Sequence, residues 1–252
     1  MNPTLEFQRY ECKYLVPELT AVELQRAFAG YIQPDEHAAK HADHSYSIAS
    51  LYLDSADLRL HHETQGGQRT RYKLRIRTYG DDPADPVFFE IKRRHNAIIT
   101  KSRVMLPRPA MAEFFAGRLD PATLSPRDQG CMAEFATRLV ELHARPVVIV
   151  RYRRQAYVGA LEPGVRVTFD RMICCAPSEE AVVRHGGDGW IPVEDRRVVV
   201  ELKFRGAMPG WMQDAVHRFE LRRTSYSKYS NSVLACGMDR FVTTAPQARL
   251  QA

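Results

Sequence analysis

Thr70–Tyr79 reads TRYKLRIRTY, with Arg71, Lys73, Arg75 and Arg77 at alternate positions and Tyr72, Leu74 and Ile76 between them. Successive side chains of a β-strand point to opposite faces, so this spacing puts four cations on one face of a single strand and apolar groups on the other. Cations held side by side repel one another. A strand tolerates that on a solvated surface or against a polyanion, and the other strands of the chain decide between the two.

The same alternation recurs. Arg9, Glu11 and Lys13 share a face opposite Tyr10, Cys12 and Tyr14. Glu90, Lys92 and Arg94 oppose Phe89 and Ile91, and Lys101 pairs in parity with Arg103. Arg154 shares a face with Tyr152, and Arg166 with Thr168 and Asp170. Glu201, Lys203 and Arg205 oppose Val198, Val200, Leu202 and Phe204. Strands are expected at 5–15, 46–53, 70–79, 86–93, 97–106, 147–158, 165–174 and 190–204, punctuated by Pro83, Pro86, Pro107, Pro163, Gly164 and the GGDG run at 186–189. Helical periodicity is confined to 18–31 behind Pro17, 57–63 with Asp54 or Ser55 as cap, 110–143 broken at Pro121 and Pro126, 209–220 and 226–236. About eight strands with close turns and few βαβ alternations point to an α+β, mainly β fold: an antiparallel sheet or closed barrel. One sheet with a wet face would satisfy the period. Solvated faces, however, usually mix Thr, Ser and Gln with their charges, whereas these are dominated by cations. The repetition favours closure, with the charged faces lining a lumen and helices covering the apolar outside.

Bulk properties agree with an anionic partner. The chain has 252 residues, a net charge of +6 and 36 basic against 30 acidic residues. A single domain over 1–240 is expected, with 241–252 as a flexible tail. No stretch approaches the roughly 20 apolar residues of a membrane span. The start, MNPTLEFQRYECKY, has no apolar run behind a basic opening, so no signal peptide is read. Cys12, Cys131, Cys174, Cys175 and Cys236 form no C-x-x-C pair. They are read as small buried hydrophobes in a reducing cytoplasm.

Closely spaced lysines and arginines suit a polyphosphate, which accepts charge-assisted hydrogen bonds, bidentate where arginine donates. Glu11, Glu90 and Glu201 add hard oxygen ligands of the sort a divalent metal uses when it bridges phosphates; each is otherwise an ion-pair partner. His37, His41 and His44 lie in a polar stretch without a nearby cysteine and are read as solvated. Tyr72, Tyr79 and Tyr152 mostly take the parity opposite the cations and are read as packing, so no nucleic-acid partner is expected. No Walker A sequence and no Ser-His-Asp or Cys-His arrangement is present.

RYECKY at 9–14, YLDSADLRLHHE at 52–63, KLRIR at 73–77, FEIKRR at 89–94, TKSR at 100–103, YRRQAY at 152–157, RVTFD at 166–170, VELKF at 200–204 and SYSKYS at 225–230 follow one another as in a VTC domain. The chain thus resembles, over residues 5–237, the polyphosphate polymerase domain of the vacuolar transporter chaperone complex, within the CYTH/triphosphate tunnel metalloenzyme superfamily. The resemblance implies an antiparallel eight-stranded tunnel. It also implies transfer of the ATP γ-phosphate onto growing polyphosphate, with manganese or magnesium as cofactor. Carried over motif by motif, Arg75, Arg77, Arg154, Arg166 and Lys228 would act on the transferred phosphate, and Lys13, Lys92, Lys101 and Lys203 would hold the anion. Glu201 would ligate the metal, with Glu11 and Glu90 as further carboxylates. Arg71 and Lys73 are placed nearer the tunnel mouth. Hydrolytic members open with E-x-E-x-K, and Arg9 replaces the first carboxylate here, which tilts the reading toward the polymerase. An inorganic triphosphatase or a polyphosphate-sensing module remain the alternatives. Association with a separate membrane protein is left open.

Overall fold

The computed structural model describes residues 9–96 and 98–238. In chain order the strands and helices are β1 (Arg9–Pro17), α1 (Glu18–Phe28), β2 (Ile32–Pro34), β3 (Ser45–Asp54), α2 (Arg59–Gln65), β4 (Thr70–Thr78), β5 (Val87–His95) and β6 (Ile98–Leu106). There follow α3 (Ala110–Phe115), α4 (Pro126–Glu141), β7 (Arg145–Gly159), β8 (Arg166–Pro177), β9 (Ile191–Glu194), β10 (Arg197–Arg205), α5 (Gly210–Arg218) and α6 (Lys228–Ala235). The tail expected at 241–252, like residues 5–8 of the expected first strand, lies outside the described residues.

All ten strands join one antiparallel sheet, ordered β1-β10-β8-β7-β3-β4-β5-β6, with β2 added to β7 and β9 to β8. The expectation of eight strands closed into a barrel is corrected on two counts. The segment 190–204 breaks at Asp195–Arg196 into two strands, and three residues of β2 pair with β7. Among the described residues no ladder joins the end strands β1 and β6, although the two approach one another. What spans the seam is charge: Lys92 on β5 reaches Glu11 on β1 at 3.3 Å. The sheet is therefore rolled with its charged face inward.

Parity explains why. On β10, Val198, Val200 and Leu202 are buried against Ala21, Leu24 and Phe28 of α1 and Met212 of α5. Those α1 residues recur at helical spacing behind Pro17, with Glu18 placed favourably in the first turn. A second core covers β3 to β7. There Phe89 meets Phe114 and Phe135 edge-on at 5.0 and 5.2 Å, burying α3 and α4 on the outer face. Helix α4 starts at the N-cap Ser125, whose hydroxyl accepts from the Asp128 N–H at 3.2 Å, with Pro126 in the first turn. Asp54 and Ser55 do organise the start of α2 from upstream: Asp54 accepts from the amides of Leu60 and His61, and Ser55 from that of Arg59. No helix among the described residues is long and apolar enough to cross a membrane.

Candidate functional site

The inner face of the roll encloses a cavity of about 400 Å³ lined by eleven lysines and arginines and by two carboxylates, Glu11 and Glu201. Strands β1, β4, β5, β6, β7, β8 and β10 supply the cations, and α6 adds Lys228.

Three carboxylate centres divide the cations. The first is the pair Glu11 and Glu201. Lys13 lies 3.3 Å from Glu11 and 3.5 Å from Glu201, Lys92 bridges from β5 to Glu11, and Lys203 and Lys228 approach Glu201 at 2.8 and 3.4 Å. Burial and the adjacent Glu201 push the Glu11 carboxyl upward, but Lys92, Lys203 and Lys13 outweigh them and hold it down to about 2. Glu201 faces the same upward pressure from burial and is held well below the carboxylate range by Lys203, Lys13, Lys228 and Arg154. Both groups are ionised at neutral pH.

The second centre is Glu90, fully buried, with Arg75 at 2.7 Å, Lys101 at 2.5 Å and Arg103 at 3.5 Å. The third is Asp170, equally buried, which takes a two-pronged contact from Arg154 (2.6 and 2.7 Å) and a 2.5 Å contact from Lys228. Lys228 thus links Asp170 to Glu201, so α6 is fastened to the cavity wall by charge.

Two cations differ. Arg77, on average only 5% exposed, donates to the Ser50 hydroxyl at 3.0 Å, and Lys73 donates to the Ser227 hydroxyl at 2.7 Å. Among the described residues neither has a carboxylate within ion-pair distance, although Arg77 helps to hold the Glu90 carboxyl ionised. Burial, reinforced by Lys13, Lys92, Arg75 and Arg71, depresses the Lys73 amine well below its usual value. Burial likewise lowers Lys92 to about 7 and Lys101 to about 8, Glu11 and Glu90 respectively offsetting only part of it. The cavity carries more positive charge than its own carboxylates neutralise.

All of the residues singled out from sequence border this cavity or its walls. Arg166 sits at its rim, 41% exposed and paired with Asp35 at 2.7 Å. Glu90 is two residues along β5 from Lys92, enclosed by its own cations. Several contributors escaped the sequence reading. Lys73 lines the cavity and, with Arg71, an adjoining pocket, and Asp170 lies on the expected face with no role assigned from sequence. Tyr52, which accepts from Arg75 at 3.2 Å, and Tyr229, stacked on Tyr52 at 4.9 Å, were not singled out. The reading of the tyrosines is corrected in part. Tyr72 does pack outside, under Arg138. Tyr79 and Tyr152 instead line the cavity. Tyr152 keeps the parity of Arg154 and has Lys228 over its ring at 4.8 Å, while Tyr79, just past the end of β4, keeps the parity of Arg75 and Arg77. His37 stacks on Tyr79 at 5.2 Å, and no cluster of three or more His, Cys, Asp or Glu able to hold a metal occurs among the described residues.

The donor set fits a divalent metal of one kind. Two ionised carboxylates facing a cavity, Glu11 and Glu201, match a hard cation that takes its remaining ligands from phosphate oxygens and water, and not an all-protein cage. Glu90 does not line the cavity and has less to offer a metal there.

A family model described as VTC domain matches residues 8–236. A search of curated protein sequences finds no match. Similar solved structures include a candidate adenylate cyclase from Bacillus halodurans (12% identity, TM-score 0.47, 87% of this chain and 95% of that one). A protein from Pyrococcus horikoshii is similar at 14% identity and TM-score 0.42, covering 89% of this chain and 98% of that one. The Mimivirus capping enzyme triphosphatase follows at 9% identity and TM-score 0.32, covering 83% and 88%.

Proposed function

The chain belongs to the VTC domain family, and from that premise we propose that it is a polyphosphate polymerase, transferring the γ-phosphate of ATP to a growing polyphosphate chain inside its cationic cavity. The observation that carries this reading is the concentration of cations around the cavity, above all buried Arg77, which has no carboxylate within ion-pair distance among the described residues. A polyanion supplies the missing countercharge.

Phosphoryl transfer needs positioning and charge stabilisation more than covalent help from the protein. In this reading Arg75, Arg77 and Arg154 hold the triphosphate, with Arg166 at the rim and Lys101 beside Arg75. Lys13, Lys92 and Lys203 neutralise the phosphates next to Glu11 and Glu201. Lys228, braced by Asp170, would steady the developing charge as an acceptor phosphate oxygen attacks the γ-phosphorus in line and the bond to the β-phosphate breaks, releasing ADP. An acceptor phosphate is already nucleophilic near neutral pH, so no general base is required. Glu201 with Glu11 would hold Mn²⁺ or Mg²⁺, which when bound supplies charge neutralisation on the phosphate oxygens. Glu90 serves as the counter-ion that fixes Arg75 and Lys101.

The test is purified protein with ATP, Mn²⁺ and a short polyphosphate primer, with products resolved on a gel. Chain growth with ADP release is expected. Free phosphate without elongation would replace the reading by a hydrolase, and binding without turnover by a sensor. Glu201→Ala should abolish turnover yet keep triphosphate binding, because it removes a negative charge from the cavity wall. It should also lower stability by roughly 3 kcal/mol, since three lysines lose a buried partner. Full activity in that variant would remove Glu201 from the metal site.

A further inference from the structure

Five cysteines look inert as a set, but two of them are neighbours in space. Cys175 on β8 is fully buried, and Cys236, just past the end of α6, is partly exposed; their sulfurs lie 3.4 Å apart although 61 residues separate them in the chain. Cys174 beside Cys175 takes the opposite side of the strand, its thiol directed at the Arg151 carbonyl at 3.7 Å. From this juxtaposition we infer that Cys175 and Cys236 form a reversible disulfide site, oxidised by a small-molecule disulfide and joining α6 covalently to β8.

A disulfide needs its sulfurs about 2.05 Å apart, so they must close by little more than an ångström. One partner is in reach of solvent and the other is not, which orders the steps. The hydrogen bond with Cys175 lowers the Cys236 thiol from its ordinary value, favouring the thiolate that attacks. The Cys236 thiolate displaces one thiolate from the reagent R–S–S–R, breaking its S–S bond and forming a mixed disulfide. Cys175 sulfur then attacks Cys236 sulfur and expels the second thiolate. The two S–H protons end on the two departing R–S⁻ groups. Two cysteine thiols are oxidised by two electrons and one reagent disulfide is reduced to two thiols.

The site has a consequence for the cavity. Helix α6 begins with Lys228, which bridges Asp170 and Glu201, and Asp170 lies on the same strand as Cys175. Oxidation would clamp the far end of that helix to the strand that its first residue already grips. The closed loop is long, so the tie acts strongly on the unfolded chain.

The full chain, incubated with oxidised glutathione, then alkylated and digested without reduction, should yield one cross-linked peptide joining Cys175 to Cys236. Cys12, Cys131 and Cys174 should stay alkylated, and dithiothreitol should reverse the cross-link. The oxidised protein should melt roughly 5 °C or more above the reduced one. Cys174→Ser should retain the cross-link, and Cys236→Ala should lose both it and the melting shift. Glutathione retained on Cys236 without a cross-link, a Cys174–Cys236 link, or five alkylated thiols would each overturn the inference.

Discussion

Arg75 and Arg77 stand two residues apart on one strand face, yet the fold treats them differently. Arg75 is matched to buried Glu90 at 2.7 Å, whereas Arg77 donates to the Ser50 hydroxyl and, among the described residues, has no carboxylate within ion-pair distance. Arg77→Ala should therefore weaken inorganic triphosphate binding tenfold or more, about the value of one charge-assisted hydrogen bond, while leaving the melting temperature unchanged or raised. Arg75→Ala should instead lower stability, because Glu90 loses its closest arginine. Calorimetric titration beside thermal melts separates the two; a stability loss at Arg77 equal to that at Arg75 would contradict the distinction. The lysines give a pH signature. Burial holds Lys92 at about 7 and Lys101 at about 8, so in the ligand-free cavity both lose protons as pH rises through that range. A bound polyanion raises both, so binding takes up protons. Affinity should be full below about pH 7 and fall as pH climbs to 9. Titrations near pH 7.5 in buffers of different ionisation enthalpy should give different heats, and identical heats would refute the linkage.

At the scale of single elements, α6 is held at one point by a hydroxyl. Ser227 accepts from the Ser230 N–H at 3.1 Å and from the Lys73 amine at 2.7 Å, capping the helix and tethering a lysine of β4 to it. Ser227→Ala should cost about 1 kcal/mol in a thermal melt, the usual value of an N-cap. Triphosphate affinity should be kept, since the freed amine still lines the cavity. The elements also show what the sequence discloses. Strands β4, β5 and β10 are nine residues each and alternate over Arg71–Arg77, Phe89–Lys92 and Val200–Arg205, where their charged and apolar faces follow from parity. The three residues of β2 are too few to display a period, and the break between β9 and β10 falls in EDRR, which carries no Gly or Pro. The cavity is a different matter. Lys73 and Asp170 occupy the same faces as the chosen cations, but whether such a face meets water or another strand's charges depends on how the sheet rolls, a long-range outcome. Tyr52 opens one of the resembling motifs but shows no parity of its own, because almost every position of β3 is buried and its alternation is hidden. Parity put the lysines and arginines on faces that meet in the cavity, and only the roll revealed which of them stand outside ion-pair reach of a carboxylate.

On the scale of the molecule, the seam between β1 and β6 is crossed, among the described residues, by side chains and by no ladder. The Lys92–Glu11 contact at 3.3 Å crosses it, and phosphate oxygens in the cavity would add further bridges between the two ends. Amide hydrogen exchange along β1 and β6 should therefore be faster than along the central β3 and β7, and should slow selectively when inorganic triphosphate is added. Uniform protection with and without the anion would mean that the edges are already fastened. The unbalanced interior has another consequence. Bringing so many like charges together works against collapse of the unliganded chain, and anions already in solution relieve that repulsion as the walls assemble. Phosphate in the surrounding medium would then act as a template for folding, so that the same ion the mature protein handles would also set how readily each newly made copy reaches its native state.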